Sequence, residues 1–187
     1  MFDDFVNILE DGHFEENPVD VKTFVEGIEF LNQPPLSGIQ YSLVQSMSQI
    51  YKKPECEHLY GFEEGRQHHD KFTKGEIIMA LGKGSGKDHT STIGVAYAVY
   101  KLLCLKDPAR YYGKPPGDAI DIINVAINAQ QAKNVFFKGF KNKIDKSPWF
   151  QNKYYAKMDS IEFDKGITVY SGHSERESHE GLNLFMA

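Results

Sequence analysis

Apolar residues near the N-terminus recur at the three- and four-residue spacing of a helix face. After Asn17-Pro18, which has the form of a helix start, such a face is formed by Val21, Phe24, Val25, Ile28 and Leu31. Gln33-Pro34-Pro35 ends this predicted helix, because proline cannot continue it. Ser37 is the predicted cap of a second helix, whose apolar positions are Ile39, Leu43, Val44, Met47 and Ile50.

The chain then becomes polar before its pattern changes sharply. Residues 52–75 are charged and rich in histidine, and they predict a loop. Glu76–Leu81 is a short apolar run that predicts a buried strand, and a glycine-rich stretch, residues 82–87, follows it directly. Beyond the glycines, a helix that ends at Asp107-Pro108 is predicted by the spacing of Thr92, Ala96, Val99 and Leu103.

Strands and helices continue to alternate in the second half of the chain. Asp121–Ile127 predicts a buried strand, and Ala129–Ile144 predicts the helix after it. Residues 160–163 and 167–170 flank Asp164-Lys165-Gly166, which indicates a hairpin, and Leu182–Ala187 predicts a last core strand. Alternation of this kind predicts an α/β fold with a largely parallel sheet flanked by helices, preceded by an N-terminal helical segment.

Composition and charge exclude several classes of protein. The 187 residues hold 21 Lys and Arg against 26 Asp and Glu, a net charge of −5, with 41% hydrophobic residues, as in an ordinary globular domain. No apolar run approaches the roughly 20 residues of a membrane span, and the acidic N-terminus does not resemble a signal peptide. The two cysteines, Cys56 and Cys104, fit free thiols in a reducing compartment. We therefore expect a cytoplasmic protein that has no membrane partner.

The glycine-rich stretch has the chemistry of a phosphate-binding loop. Gly82-Lys83-Gly84-Ser85-Gly86-Lys87 lies between a predicted strand and a predicted helix, where backbone N–H groups and the helix N-terminus converge on an anion. It departs from the pattern G-x-x-x-x-G-K-[ST] in two places, with Leu81 at the first glycine position and Asp88 at the Ser or Thr position. The context predicts nucleotide binding, with Lys87 reaching the β- and γ-phosphates. Asp88 either contacts Mg²⁺ through water or weakens its binding.

The loop also divides the chain. We expect an N-terminal helical segment at residues 1–50, a polar loop at 51–75 and a phosphate-loop (P-loop) ATPase core at 76–187 that is incomplete at its C-terminus. The final apolar run stops without a turn or a polar tail, which favours a truncated reading frame or fragment.

Four segments together resemble the N-terminal ATPase region of the large terminase subunit, the DNA-packaging motor of tailed bacteriophages. Leu36–Tyr41 is similar to that family's adenine-side glutamine motif, with Gln40 as the glutamine, and Ile78–Asp88 is similar to its Walker A motif. Asn124–Ala132 resembles the strand and helix start that follow, and Ile167–His173 through Glu180–Asn183 resembles the approach to Walker B. In that family an arginine often stands where Lys83 stands here.

The resemblance implies a set of ligands and partners. It implies ATP and Mg²⁺ as cofactors, Lys83 and Lys87 as catalytic cations, and Asp88 as a metal contact through the nucleotide. The nucleotide contacts that it implies are Gln40, Gly82, Gly84, Ser85, Gly86, Lys87, Asp88 and His89. In the intact motor it implies duplex DNA, the small terminase subunit and the portal as partners, a ring oligomer, and the cytoplasm of a bacterial host as the location.

The same resemblance implies that catalysis is incomplete in this chain. In the terminase family the Walker B strand ends in an acidic pair, and Leu184–Ala187 resembles only the start of that strand. We therefore expect nucleotide binding with slow or absent hydrolysis, since neither Lys83 nor Arg176 is shown to act as an arginine finger.

Three further groups of residues have a functional and a structural interpretation. Cys56, His58, His68 and His69 lack a standard zinc spacing, so a polar loop is the better interpretation. His173, Arg176 and His179 lie in a polar run that is more typical of a solvated loop than of a catalytic site. Lys138, Lys141 and Lys143 interleave with aromatics that more often pack on a sheet, and these lysines are candidates for weak contacts with DNA phosphates.

Two alternatives to the terminase hypothesis stay open. One is a helicase-like P-loop translocase, and the other is a nucleotide-binding module that does not hydrolyse its ligand. A strand that ends in Asp-Glu and is followed by a nuclease domain would favour the terminase, whereas helicase motifs with a second lobe would favour the translocase. Failure of nucleotide to raise thermal stability would favour a degenerate loop.

Overall fold

A five-stranded sheet carries the fold. The computed structural model describes residues 12–126, 132–173 and 184–186. The strands are β1 (Ile120–Ala126), β2 (Tyr154–Ala156), β3 (Ser160–Phe163), β4 (Ile167–His173) and β5 (Leu184–Met186). They lie in the order β2-β3-β4-β1-β5 across the sheet.

The sheet has a parallel core with an antiparallel extension. β1 pairs in parallel with β4, where Ile120 lies opposite Ile167, and with β5, where Asp121 lies opposite Leu184. β2, β3 and β4 form an antiparallel meander. The predicted strand at 121–127 and the predicted hairpin are thereby confirmed, and so is the α/β class with helices flanking a largely parallel core.

Seven α-helices pack around this sheet within the described ranges. They are α1 (Val21–Glu26), α2 (Gly38–Met47), α3 (Lys53–Tyr60), α4 (Phe62–Phe72), α5 (Lys87–Leu103), α6 (Pro108–Tyr111) and α7 (Lys138–Lys146), and a π-helical turn, Ala132–Phe137, precedes α7. In these ranges no helix has both the length and the apolar character needed to cross a bilayer.

α5 is the central helix of the fold. It has 17 residues, and every residue from Thr92 to Leu103 is buried, as expected of a helix whose surface is covered on every side. α5 contacts α2 closely at Gly94, which has no side chain. A Cβ at Gly94 would lie only 2.8 Å from the Sδ atom of Met47. The C-terminal end of α5 is fixed by Lys165, whose Nζ donates to the carbonyl oxygens of Leu103 at 2.8 Å and Leu105 at 2.6 Å.

The two N-terminal helices begin where capping side chains are available. Asp20 accepts hydrogen bonds from the backbone N–H groups of Lys22 and Thr23 at the start of α1. Ser37 and Gln40 form a reciprocal capping box at the start of α2. α1 ends at Glu26, earlier than predicted, because the chain becomes extended at Gly27.

The prediction of a polar loop at residues 51–75 is wrong, because α3 and α4 occupy most of this segment. The two helices approach each other closely at Gly65, where a Cβ would lie 2.3 Å from the carbonyl oxygen of Cys56. An ion pair between Lys53 and Asp70, at 2.8 Å, joins them on the surface. A helical hairpin of this kind is stabilised by contacts between helices that no local pattern of residues reveals.

The prediction of a strand at Glu76–Leu81 is also wrong. The segment does not pair with the sheet in the described part of the chain, and Ile78 is 82% exposed. A cleft of about 750 Å³ is lined by Ile77 and Met79 on this segment and by Ile122 and Met186 on β1 and β5. An apolar run therefore does not by itself make a strand, because a strand also needs a neighbour with which to pair.

The remaining predictions fall partly outside the described residues. The helix predicted at Ala129–Ile144 is observed from Ala132 as the π-helical turn and α7, and residues 129–131 lie outside the description. The last predicted strand is observed as β5, while Leu182, Asn183 and Ala187 lie outside the described residues.

Candidate functional site

The glycine-rich loop adopts a backbone conformation that favours glycine at two of its positions. Gly84 and Gly86 both have positive φ, 82° and 76°, the left-handed region that glycine enters without steric cost. Between them, the N–H of Ser85 donates to the carbonyl oxygen of Gly82 at 3.3 Å. Alternation of left-handed and ordinary residues turns successive N–H groups toward one point, which is the geometry of an anion-binding nest.

The N-terminus of α5 continues directly from this loop. Gly86 is the cap, and its carbonyl oxygen accepts hydrogen bonds from the Thr90 N–H at 2.9 Å and the Thr90 Oγ1 at 3.0 Å. Because the first N–H groups of a helix have no carbonyl partner within it, they are available to an anion. A buried helix of this length also places partial positive charge at this end.

The side chains of the loop are open to solvent. Lys83, Ser85, Lys87 and Asp88 are all exposed. Among the described residues, Lys83, Lys87 and Asp88 have no hydrogen-bond or ion-pair partner. Within the described residues, two lysines and one carboxylate are therefore available to a ligand.

Asp88 offers the type of ligand that Mg²⁺ accepts. Its carboxylate is exposed in the first turn of α5, next to Lys87. Mg²⁺ is commonly held by one or two carboxylates together with phosphate oxygens and water. A single exposed carboxylate beside an anion nest fits this chemistry.

Gln40 is brought from α2 to the phosphate loop. A Cβ built on Gly86 would lie 3.0 Å from the Nε2 of Gln40, so the amide lies against the loop. The Oε1 of the same amide accepts a hydrogen bond from the Ser37 N–H at 2.9 Å. Gln40 therefore caps its own helix with one atom and faces the loop with the other.

His89 lies in the first turn of α5 beside a lysine of α7. Burial lowers the pKa of His89, and the charge of Lys143 lowers it further. The carbonyl oxygen of His89 accepts a hydrogen bond from the Thr92 Oγ1 at 2.8 Å. His89 is a nucleotide contact implied by the resemblance, whereas Lys143 was predicted only as a weak DNA contact, since nothing in the sequence relates the two positions.

Cys56 and His68, two of the candidate metal ligands in the hairpin of α3 and α4, contact other side chains of the protein. The Sγ of buried Cys56 lies 3.0 Å from the Gln49 Nε2, and the His68 ring lies between Tyr60 and Phe72 at centroid distances of 4.5 and 4.8 Å. Across the ranges that the structure describes, no three His, Cys, Asp or Glu residues are grouped so that they could hold a metal ion.

The other predicted residues cannot be placed at the loop. His173 ends β4, opposite Ala126 of β1. Arg176, His179 and the segment Glu180–Asn183 lie outside the described residues. Residues 127–131, which include most of the predicted helix start after β1, also lie outside them.

Comparison with known proteins agrees with the geometry of the loop. The profile of a family described as "Uncharacterized protein MJ0330, N-terminal P-loop domain" matches residues 2–187. The protein named "Uncharacterized protein MJ0330" from Methanocaldococcus jannaschii is 36% identical over 117 residues, which are 57% of this chain and 20% of that protein. The chain thus spans about one fifth of this relative's length.

No solved structure matches the chain. The family is established by the profile, which covers nearly the whole sequence. The comparisons support the P-loop part of the resemblance noted in the sequence, and they give no support to its terminase part. The chain belongs to the family of the MJ0330 N-terminal P-loop domain.

Proposed function

We propose that the chain binds ATP together with Mg²⁺ at the loop Gly82–Lys87. The observation that carries the proposal is the pair of left-handed glycines, Gly84 and Gly86, directly before the N-terminus of α5. This combination of a backbone nest and a helix N-terminus favours a phosphate group. The membership of the chain in a P-loop family supports the same ligand class.

Each exposed group of the loop has a role in this proposal. Backbone N–H groups of residues 84–87 hold the β-phosphate, with Gly82 and Ser85 shaping the turn. Lys87 offsets charge on the β- and γ-oxygens, and Lys83 adds a second cation. Asp88 holds the magnesium ion, which screens the phosphate charge when bound.

The residues around the loop complete the pocket. Gln40, whose Nε2 faces Gly86, hydrogen-bonds the nucleotide, and its position fits a contact at the phosphate end as well as one with adenine. His89, in the first turn of α5, borders the ligand.

We further propose that hydrolysis by this chain is slow. Phosphoryl transfer depends on a group that orients the attacking water and on a cation that stabilises the transition state. The loop and the first turn of α5 contain one carboxylate, Asp88, which the proposal assigns to the metal. Binding with little turnover is therefore the expected behaviour.

The finer proposal is a terminase-type motor that moves duplex DNA. It is supported by the order of the four sequence motifs and by the position of Gln40 beside the loop. Exposed Lys138 and Lys146 on α7 offer positive charge for a nucleic-acid backbone. Stimulation of ATP hydrolysis by duplex DNA would support this finer proposal, and equal rates with and without DNA would favour a nucleotide-binding module.

The proposal is tested by thermal unfolding with and without Mg·ATP or Mg·ADP. A ligand that binds only the folded state at 100 times its Kd stabilises that state by about 2.7 kcal/mol. We expect both nucleotides to raise the unfolding temperature of the wild type but not of Lys87→Ala. Because Lys87 has no partner among the described side chains, Lys87→Ala should unfold at the wild-type temperature without nucleotide. Equal behaviour of the two proteins with nucleotide would refute the proposal.

A further inference from the structure

Lys143 is a half-buried cation that no acid of the described residues compensates. It lies in α7, and burial lowers the pKa of its ammonium group. Over the ranges covered by the description, no Asp or Glu forms an ion pair with it. Partial burial of an unpaired charge is unfavourable and therefore calls for an explanation.

The other lysines of α7 do not share this situation. Lys141 forms an ion pair with Asp145 one turn further along the helix, at 2.6 Å. Lys138 and Lys146 are exposed, so water solvates their charges. Asp145 also accepts a hydrogen bond from the Tyr154 hydroxyl at 2.7 Å. The acid of this helix is thus already engaged on the face away from Lys143.

The packing of α7 against α5 places Lys143 near the phosphate loop. A Cβ on Gly139 would lie 3.7 Å from the Cγ2 of Thr92, which marks where the two helices touch. Lys143 follows Gly139 by one helical turn on the same face of α7. On α5, His89 lies one turn before Thr92, toward the loop, and its carbonyl accepts the Thr92 hydroxyl. Phe136, just before α7, lines the same cleft as Val95 of α5, so the two helices run in opposite directions. Lys143 therefore lies toward the first turn of α5, which contains His89.

Lys143 thus adds positive charge from α7 near the N-terminus of α5. Burial lowers the pKa of His89 and the charge of Lys143 lowers it further, so the imidazole is neutral at pH 7 and the positive charge here belongs to Lys143. The helix end itself adds partial positive charge and unpaired N–H groups. A partly buried ammonium group beside such a helix end becomes favourable when an anion binds there and forms a charge-assisted hydrogen bond with it.

We infer that Lys143 is a second phosphate-binding cation of this site, contacting from α7 the phosphates of the nucleotide that the loop 82–87 holds. The inference rests on the proposed nucleotide site and extends it to a residue outside the loop. Lys143 and Lys87 would then approach the phosphates from two different helices. A charge-assisted hydrogen bond of this kind raises affinity by about tenfold or more.

The test uses Lys143→Gln and Lys143→Met, with Lys146→Gln as a matched control. Lys146→Gln removes the same charge from the same helix at an exposed position. Affinities for Mg·ADP, and for tripolyphosphate as a probe without base or ribose, are measured by calorimetry. We expect both Lys143 variants to bind each probe about tenfold more weakly, and Lys146→Gln to stay within about twofold of the wild type. Lys143→Arg should recover part of the loss.

A second readout separates phosphate binding from a structural role. Because the buried ammonium is unfavourable in the free protein, Lys143→Met should unfold without ligand at the wild-type temperature or above it. Weaker binding with undiminished stability is the expected pair of results. Wild-type affinity in the Lys143 variants would overturn the inference, and so would a loss of binding that parallels a loss of stability.

The two probes also distinguish this inference from the proposed function. If the wild type binds tripolyphosphate in a Lys143-dependent manner but does not bind Mg·ADP, the assignment of Lys143 stands and the nucleotide proposal fails. If Mg·ADP binds equally well to all variants, the nucleotide proposal stands and the assignment of Lys143 fails. If neither probe binds the wild type, both are refuted.

Discussion

The Nε2 atom of Gln40 lies against Gly86, where an added Cβ would come within 3.0 Å of it. Gln40 belongs to α2 and Gly86 begins α5, so this contact joins the capping box of one helix to the phosphate loop of the other. The two helices also pack closely at Gly94 and Met47. The position of the glutamine is therefore fixed by the same packing that fixes the loop.

Gly86→Ala should damage both the loop and its binding function. Gly86 has φ of 76°, and a residue with a Cβ costs about 1–2 kcal/mol in that conformation. The added methyl group would also press on the Gln40 amide. We expect the free energy of unfolding to fall by about that amount and nucleotide binding to be lost, as measured by urea titration and calorimetry.

Gly82→Ala is the matched control for this loop. Gly82 does not have positive φ, and an added Cβ there would meet no atom within 4 Å. Its free energy of unfolding should stay within about 0.5 kcal/mol of the wild type. Equal stability of the two variants would contradict the left-handed geometry at Gly86.

Gly65→Ala should destabilise the hairpin of α3 and α4, although alanine favours helices. A Cβ at this position would lie 2.3 Å from the carbonyl oxygen of Cys56 and 2.6 Å from the Cα of Glu57. Because these are backbone atoms, the helices must move apart, and overpacking of this kind costs about 1–3 kcal/mol. Chemical denaturation should show that loss.

The control for the hairpin is Gln67→Ala, at an exposed position of the same helix. It should change stability by less than about 0.5 kcal/mol. A Gly65→Ala protein as stable as the wild type or more so would mean that α3 and α4 do not touch at Gly65.

His68 should make the protein less stable in mild acid. Burial between Tyr60 and Phe72 lowers its pKa from 6.5 to about 4. As pH falls from 6.5 to 4, the unfolded chain therefore takes up a proton at this residue that the folded protein does not, and stability falls. Above pH 6.5 the residue is neutral in both states and contributes no pH dependence.

His68→Phe is the variant that isolates this effect. It keeps an aromatic ring between Tyr60 and Phe72, and the buried Nδ1 of His68 has no hydrogen-bond partner among the described residues. The decrease in unfolding free energy between pH 7 and pH 5 should be smaller in His68→Phe than in the wild type. An identical decrease in both proteins would show that His68 is solvated and titrates normally.

The sequence was sufficient for features that depend on neighbouring residues. Ser37 and Gln40 predict the start of α2 because a capping box is local chemistry. The glycines at 84 and 86 predict the turn of the loop because their conformational freedom is needed there. Alternation of apolar runs was enough to predict β1, the hairpin and β5.

The sequence was insufficient where a distant contact decides the structure. The hairpin of α3 and α4 is polar in sequence and depends on the approach of Gly65 to Cys56. Glu76–Leu81 has the pattern of a strand, yet pairing depends on a neighbour and not on the segment itself. The proximity of Lys143 to His89 arises from the packing of two helices that are separate in sequence.

Calorimetric titration of the wild-type chain with Mg·ADP and Mg·ATP tests the central claim most directly. Lys87→Ala, exposed and without a partner in the described structure, is measured beside it. The account predicts saturable binding of one nucleotide per chain and none to Lys87→Ala. Absence of binding by the wild type, or equal binding by both proteins, would show that the loop Gly82–Lys87 is not a nucleotide site.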